Sequence, residues 1–137
     1  MPAAPDPTGR LEPARFPGRA PIDSYGNGGF RFADMSHRGS ILALPSGIQA
    51  WPATEPATIG SEALAPILAE AATIDVLLIG TGESFDAIAP EARQALQTAG
   101  LAPELMSTGA AVRTYNVLVS EGRAVAAALI AVGSPAR

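Results

Sequence analysis

The chain has 137 residues, 47% of them apolar and 16% charged, and a net charge of −4. That is one domain's worth, with about two-thirds of the unfolded surface available for burial, and the bulk is too apolar for a disordered chain. All nine basic residues are arginine, cysteine is absent and His37 is the single histidine, which excludes Schiff-base and Walker-type phosphate chemistry, thiol nucleophiles, disulfides, thiolate metal sites and multi-histidine metal motifs.

No cofactor or metal is expected from this inventory. The acidic balance and the lack of an arginine run also argue against nucleic acid as a partner. No apolar stretch reaches the roughly 18 residues that span a bilayer, so no membrane insertion is expected. Residues 1–21 lack the apolar core of a secretory signal and carry six prolines that would break an amphipathic helix. A cytoplasmic location is the natural expectation. The 28 alanines and the arginine-for-lysine choice suggest a GC-rich bacterial genome.

Taken in chain order, residues 1–20 are rich in Pro, Ala and Arg and read as a flexible or loosely docked tail, or as a peptide lying along the domain or a partner. A single domain follows over residues 21–137. Phe30 and Phe32 alternate with Arg31 as in a strand, and Gly26, Gly28 and Gly29 around Asn27 mark a turn that needs positive φ. Residues 34–39 read as a polar loop. Residues 40–44 (SILAL) and 48–51 are two further strands joined by the Pro45-Ser46-Gly47 turn. Together these strands suggest an antiparallel hairpin layer.

The second half changes character. Leu64, Ile67, Leu68 and Ala71 have helical spacing, and Pro66 suggests a helix that starts late, near Ala65. Residues 74–79 (IDVLLI) form a nearly continuous apolar run, the mark of a strand covered on both faces. A helix over 90–99 has Pro90 at its first position and Gly100 as its C-terminal cap. Residues 103–106 are a short strand. Thr108 is a plausible N-cap for a helix over 109–120, and residues 124–132 are a closing buried strand. The fold class is therefore α/β: one three-layer domain, with a central mixed β-sheet, helices on one side and a β-hairpin layer on the other.

Three sets of residues invite a functional reading. The Gly80-Thr81-Gly82 turn after a buried strand is placed where backbone amides can cradle an anion. Phe85 stands where a dinucleotide fingerprint needs glycine, so a tight exit from the sheet competes with a small-molecule pocket. Arg113, Tyr115 and Asn116 share a helix. They either rim one cleft with that turn or serve the fold, Asn116 through bonds to loop backbone and Arg113 through an acid such as Glu104 or Asp75. His37 has Asp34 and Ser36 beside it, but no nucleophile elbow is present, and residues adjacent in sequence rarely form a triad. Phe30 and Trp51 read as core. Exposed together, with His37, they would make a patch for a protein partner. Glu83, Asp86 and Glu91 read as a solvated acidic surface.

The ordered succession of residues 22–32 (IDSYGNGGFRF), 39–47 (GSILALPSG) with Trp51, 74–82 (IDVLLIGTG), 106–119 (MSTGAAVRTYNVLV) and 123–130 (RAVAAALI) resembles a small α/β family of bacterial and archaeal proteins. That family includes mitochondrial complex I assembly factor three and an adipogenesis-associated human homologue. The resemblance covers roughly residues 20–133. It implies a three-layer fold with strands plus a helix on one side of the sheet, and no known reaction. In the mitochondrial members it implies assembly of a respiratory complex through protein contacts. The expectation is a non-catalytic, assembly-factor-like interaction protein. Its protein partners would include the assembly machinery of a membrane complex. The alternative is a small-molecule or anion-binding protein, or an undiscovered enzyme, with its cleft at the Gly80-Thr81-Gly82 turn and Arg113.

Overall fold

The apolar runs become strands of one central sheet because each must be covered on both faces. A computed structural model describes residues 15–133. The first strand is β1 (Arg15–Phe16). A three-stranded layer follows: β2 (Ile22–Gly26), β3 (Gly29–Phe32) and β4 (Met35–Arg38). Then come β5 (Ser40–Leu44), β6 (Gly47–Trp51), α1 (Ser61–Ala69), β7 (Val76–Gly80), α2 (Pro90–Thr98), β8 (Glu104–Met106), α3 (Thr108–Ser120) and β9 (Val125–Leu129). The central sheet has six strands in the order β1-β6-β5-β9-β7-β8. It is mixed: β7 runs parallel to β8 and β9, whereas β5 is antiparallel to β6 and β9.

Strand periodicity sorts the side chains of this sheet into two cores. Leu42, Leu44, Leu77, Ile79, Ala126 and Ala128 face α1 and α2. Ile41, Ala43, Leu78, Val125, Ala127 and Leu129 face α3 and the β2–β4 layer. Every residue of β5 and β9 is buried. The fold class read from the sequence holds: helices on one side, a strand layer with α3 on the other.

Four local expectations need correction. Strands β5 and β6 belong to the central sheet and not to the separate hairpin layer, because SILAL is apolar on both faces. The separate layer is completed by β4, which lies inside the stretch read as a polar loop. Ala33 and Asp34 take φ of 49° and 62°, closing a two-residue turn between Phe32 and Met35. Helix α1 begins at Ser61 with Pro66 inside it. Proline there removes the bond to the Glu62 carbonyl, but Leu64 and Ile67 are fully packed and the Trp51 indole donates to the Ala63 carbonyl at 2.8 Å. That packing outweighs a helix penalty of about 3 kcal/mol. Finally, the N-cap of α3 is Ser107, whose hydroxyl accepts from the Ala110 amide at 3.2 Å, and Thr108 is the first helical residue.

Of residues 1–20, read as a tail, residues 1–14 lie outside the described residues. Residues 15–20 are laid on the domain: β1 pairs with β6, Ala20 is buried, and the Arg19 guanidinium donates to the Arg123 carbonyl.

Candidate functional site

Strand β7 ends at Gly80 because α3 begins there. A Cβ on Gly80 would stand 2.9 Å from Thr108 Cα and 3.1 Å from Leu129 Cδ2. Thr108 is fully buried. Its hydroxyl donates to the Ile130 carbonyl at 2.7 Å and accepts from the Gly82 amide at 3.0 Å. The Thr81 amide donates to the Met106 carbonyl at 2.8 Å. Both amides that a phosphate cradle would use at Thr81 and Gly82 are thus spent inside the protein. The turn is a tight exit from the sheet.

The same turn organises the loop beyond it. The buried Thr81 hydroxyl accepts from the Asp86 amide at 3.0 Å and lies 2.7 Å from the Ser84 carbonyl and 3.0 Å from that of Met106 as donor. The Asp86 carboxylate accepts from the Ala87 amide at 2.8 Å. Ser84 and Asp86 are therefore pinned on either side of Phe85, which is 67% exposed. A large apolar ring held outward by a pinned backbone, between the acidic side chains of Glu83 and Asp86, is the main candidate site. The sequence reading used Phe85 only to reject a dinucleotide fingerprint. An aromatic residue within Gly-Glu-Ser-Phe-Asp, after a buried strand, was the signal available.

The other candidates separate. Tyr115 is buried and its hydroxyl donates to the Ala20 carbonyl at 3.0 Å; burial pushes the phenol up to about 12. Asn116 bonds the backbone of Ile22. Both fasten the entry of β2 to α3. Arg113 is exposed, and its guanidinium and the Tyr25 ring both approach Gly109. Thr108, which meets the Gly80-Thr81-Gly82 turn, and Tyr115 are seven residues apart, about 10 Å along the helix, and the Tyr115 hydroxyl is engaged by Ala20, so Tyr115 does not rim the turn. Phe30 and Trp51 are buried in different cores on opposite faces of the sheet and form no joint patch. His37 sits opposite Phe30, half-buried, with Nε2 3.2 Å from the Ser40 carbonyl; burial lowers its pKa. Among the described residues no cluster of three or more His, Asp or Glu side chains is placed to hold a metal, and no helix is long and apolar enough to cross a membrane.

Comparison with known proteins places this geometry. The family described as "Protein of unknown function (DUF498/DUF598)" matches residues 22–130. An uncharacterized protein of Rhodobacter capsulatus is 40% identical over 115 residues, which cover 84% of this chain and 87% of that one. NADH dehydrogenase (ubiquinone) 1 alpha subcomplex assembly factor 3 of Mus musculus is 31% identical over 117 residues, 85% of this chain and 63% of that protein. The matches span between 59% and 63% of the length of the vertebrate assembly factors. The crystal structure of an outer membrane protein from Bartonella henselae superposes with a TM-score of 0.81 at 56% identity, covering 85% of this chain and 98% of that one.

Proposed function

The chain belongs to the DUF498/DUF598 family, and we propose that it is a non-catalytic, assembly-factor-like protein that works by protein–protein contact. The single observation that carries this reading is Phe85, held 67% exposed on a loop whose backbone is tied down. An exposed aromatic residue on a pre-ordered loop can bury a large apolar area in a partner at little cost in conformational freedom. The relatives named as complex I assembly factors support a partner drawn from the assembly of a membrane-bound complex. The acidic side chain of Asp86 beside Phe85 favours a partner recess with a basic group at its rim. The same proposal places the protein in the cytoplasm, acting on such a complex without spanning the membrane.

The test is a photo-crosslinkable residue at position 85 in the full chain, expressed in its native host. Crosslinks to one defined subunit or assembly protein, competed by the wild-type chain and reduced at least tenfold by Phe85→Ala in a tagged pull-down, are the expected result. Crosslinks spread without preference, or a partner retained equally by Phe85→Ala, would overturn the reading. Repeating the pull-down without residues 1–14 measures what that stretch adds.

A further inference from the structure

Residues 24–38 alternate between two faces. Tyr25, Phe30, Phe32 and His37 turn toward α3 and the central sheet; Ser24, Arg31, Ser36 and Arg38 are exposed on the other side. The register aligns Ser24, Arg31 and Ser36 in one row across the layer, and Gly26, Gly29 and Arg38 in the next. Two of these positions carry no side chain. A hollow of about 350 Å³ opens there, lined by both arginines, both serines and the hairpin tip.

The glycines have a backbone cause. Gly26 takes φ +127°, and a Cβ on Gly29 would collide with the His37 carbonyl. The tip is a two-residue Asn27-Gly28 turn with φ of 53° and 81°. It is pinned by Gly28 N–H donating to the Val132 carbonyl at 2.8 Å and Gly39 N–H to the Gly28 carbonyl at 2.7 Å. The bare floor is therefore rigid.

The polar side chains around that floor have no such internal task. Among the described residues, none of Ser24, Arg31, Ser36 and Arg38 is held by a hydrogen bond or ion pair through its side chain. No carboxylate lines the hollow, although the chain as a whole carries −4. Acid is concentrated elsewhere: residues 52–101 hold seven carboxylates, from Glu55 to Glu91, against Arg93 alone. Most of that stretch forms α1, α2 and their flanking loops on the far side of the sheet.

Arg31 and Arg38 are diagonal neighbours on adjacent antiparallel strands, roughly 7–8 Å apart, so their long arms can close on one group. Two guanidinium forks and two hydroxyls offer more donors than the two oxygens of a carboxylate accept. A phosphate monoester, with three terminal oxygens and close to two negative charges, matches them. The volume fits a small ligand and is narrow for a polymer.

We propose that this hollow binds the phosphate group of a small phosphorylated metabolite, with Arg31 and Arg38 gripping the phosphoryl oxygens and Ser24 and Ser36 completing the shell. The site is separate from the Phe85 loop and stands or falls without it.

The experiment is a backbone-amide NMR titration of the full chain with glycerol 3-phosphate. Glycerol, succinate and vesicles containing phosphatidic acid serve as separate arms. The expected result is saturable shifts at Gly26, Gly29, Arg31 and Ser36, with a Kd on the order of 0.1–1 mM at low salt that weakens as salt is added. Arg31→Gln with Arg38→Gln, both exposed and with the fold read from the same spectra, should weaken binding at least tenfold; Arg93→Gln should not change it. Absence of shifts at about 10 mM ligand, an equal response to succinate, binding only to vesicles, or indifference to the double variant would each overturn the proposal.

Discussion

The side-chain amide of Asn116 pairs with the backbone of Ile22 as a neighbouring strand would: Oδ1 accepts from the Ile22 amide at 2.8 Å and Nδ2 donates to the Ile22 carbonyl at 3.0 Å. A helix side chain thereby covers one edge of the three-stranded layer, where open backbone groups would otherwise invite another strand. Asn116→Ala leaves both groups to water and should cost about 1–2 kcal/mol in chemical denaturation. Asn116→Asp sets an acceptor against the Ile22 carbonyl and should cost more. Faster amide exchange at Ile22, with exchange in β9 unchanged, is the local signature; uniform loss of protection would contradict it.

Tyr115 holds the preceding turn of chain by its bond to the Ala20 carbonyl. Burial raises its pKa from 10.0 to about 12, against the smaller lowering effects of that hydrogen bond and of Arg19. The folded protein keeps the phenol proton more tightly than the unfolded chain. The support Tyr115 gives is therefore complete below pH 10 and is lost as pH rises through about 12. Tyr115→Phe should cost about 1 kcal/mol at neutral pH and flatten the alkaline limb of the stability curve. An unchanged limb would show that other groups drive it.

How much of this was legible depends on where each signal sits. Strands β5, β7 and β9 were readable because an unbroken apolar run has few other homes, and α2 because Pro90 and Gly100 mark its two ends. Strand β4 was not, since Met35 and His37 face inward among polar neighbours and the turn before it places Ala33 in a conformation alanine rarely adopts. Pro66 misled because local propensity yields to packing from Trp51 on a distant strand. Thr81 takes its role from Met106, 25 residues away. The juxtaposition of Arg31 and Arg38 exists only in the register of β3 on β4.

Thr108 links α3, β9 and the Gly80-Thr81-Gly82 turn through one hydroxyl. Thr108→Val keeps the shape but strands the Gly82 amide and the Ile130 carbonyl. It should cost roughly 2–6 kcal/mol, since each of the two buried unpaired groups costs about 1–3 kcal/mol. Thr108→Ser keeps the hydroxyl and should cost less than half as much. Amide exchange at Gly82 should rise in the valine variant before global unfolding does. A loss in the serine variant with little or none in the valine variant would mean that the methyl group, not the bond, matters here.

His37 gives the fold a pH dependence of opposite sign to that of Tyr115. Burial lowers its pKa below 6.5, and the bond to the Ser40 carbonyl opposes that shift only in part. The unfolded chain then binds the proton more readily than the folded one. Stability should fall as pH drops below 6.5 and level off once pH passes the lowered folded value. Carboxylates also titrate on the acid side, beginning lower, so the informative quantity is the difference between wild type and His37→Gln. Glutamine retains a donor for Ser40 and has no charge to bury. Measured between about pH 7 and about pH 5.5, wild type should lose stability relative to His37→Gln. Parallel curves across that window would show that the imidazole accepts its proton in the folded protein as easily as in the unfolded chain.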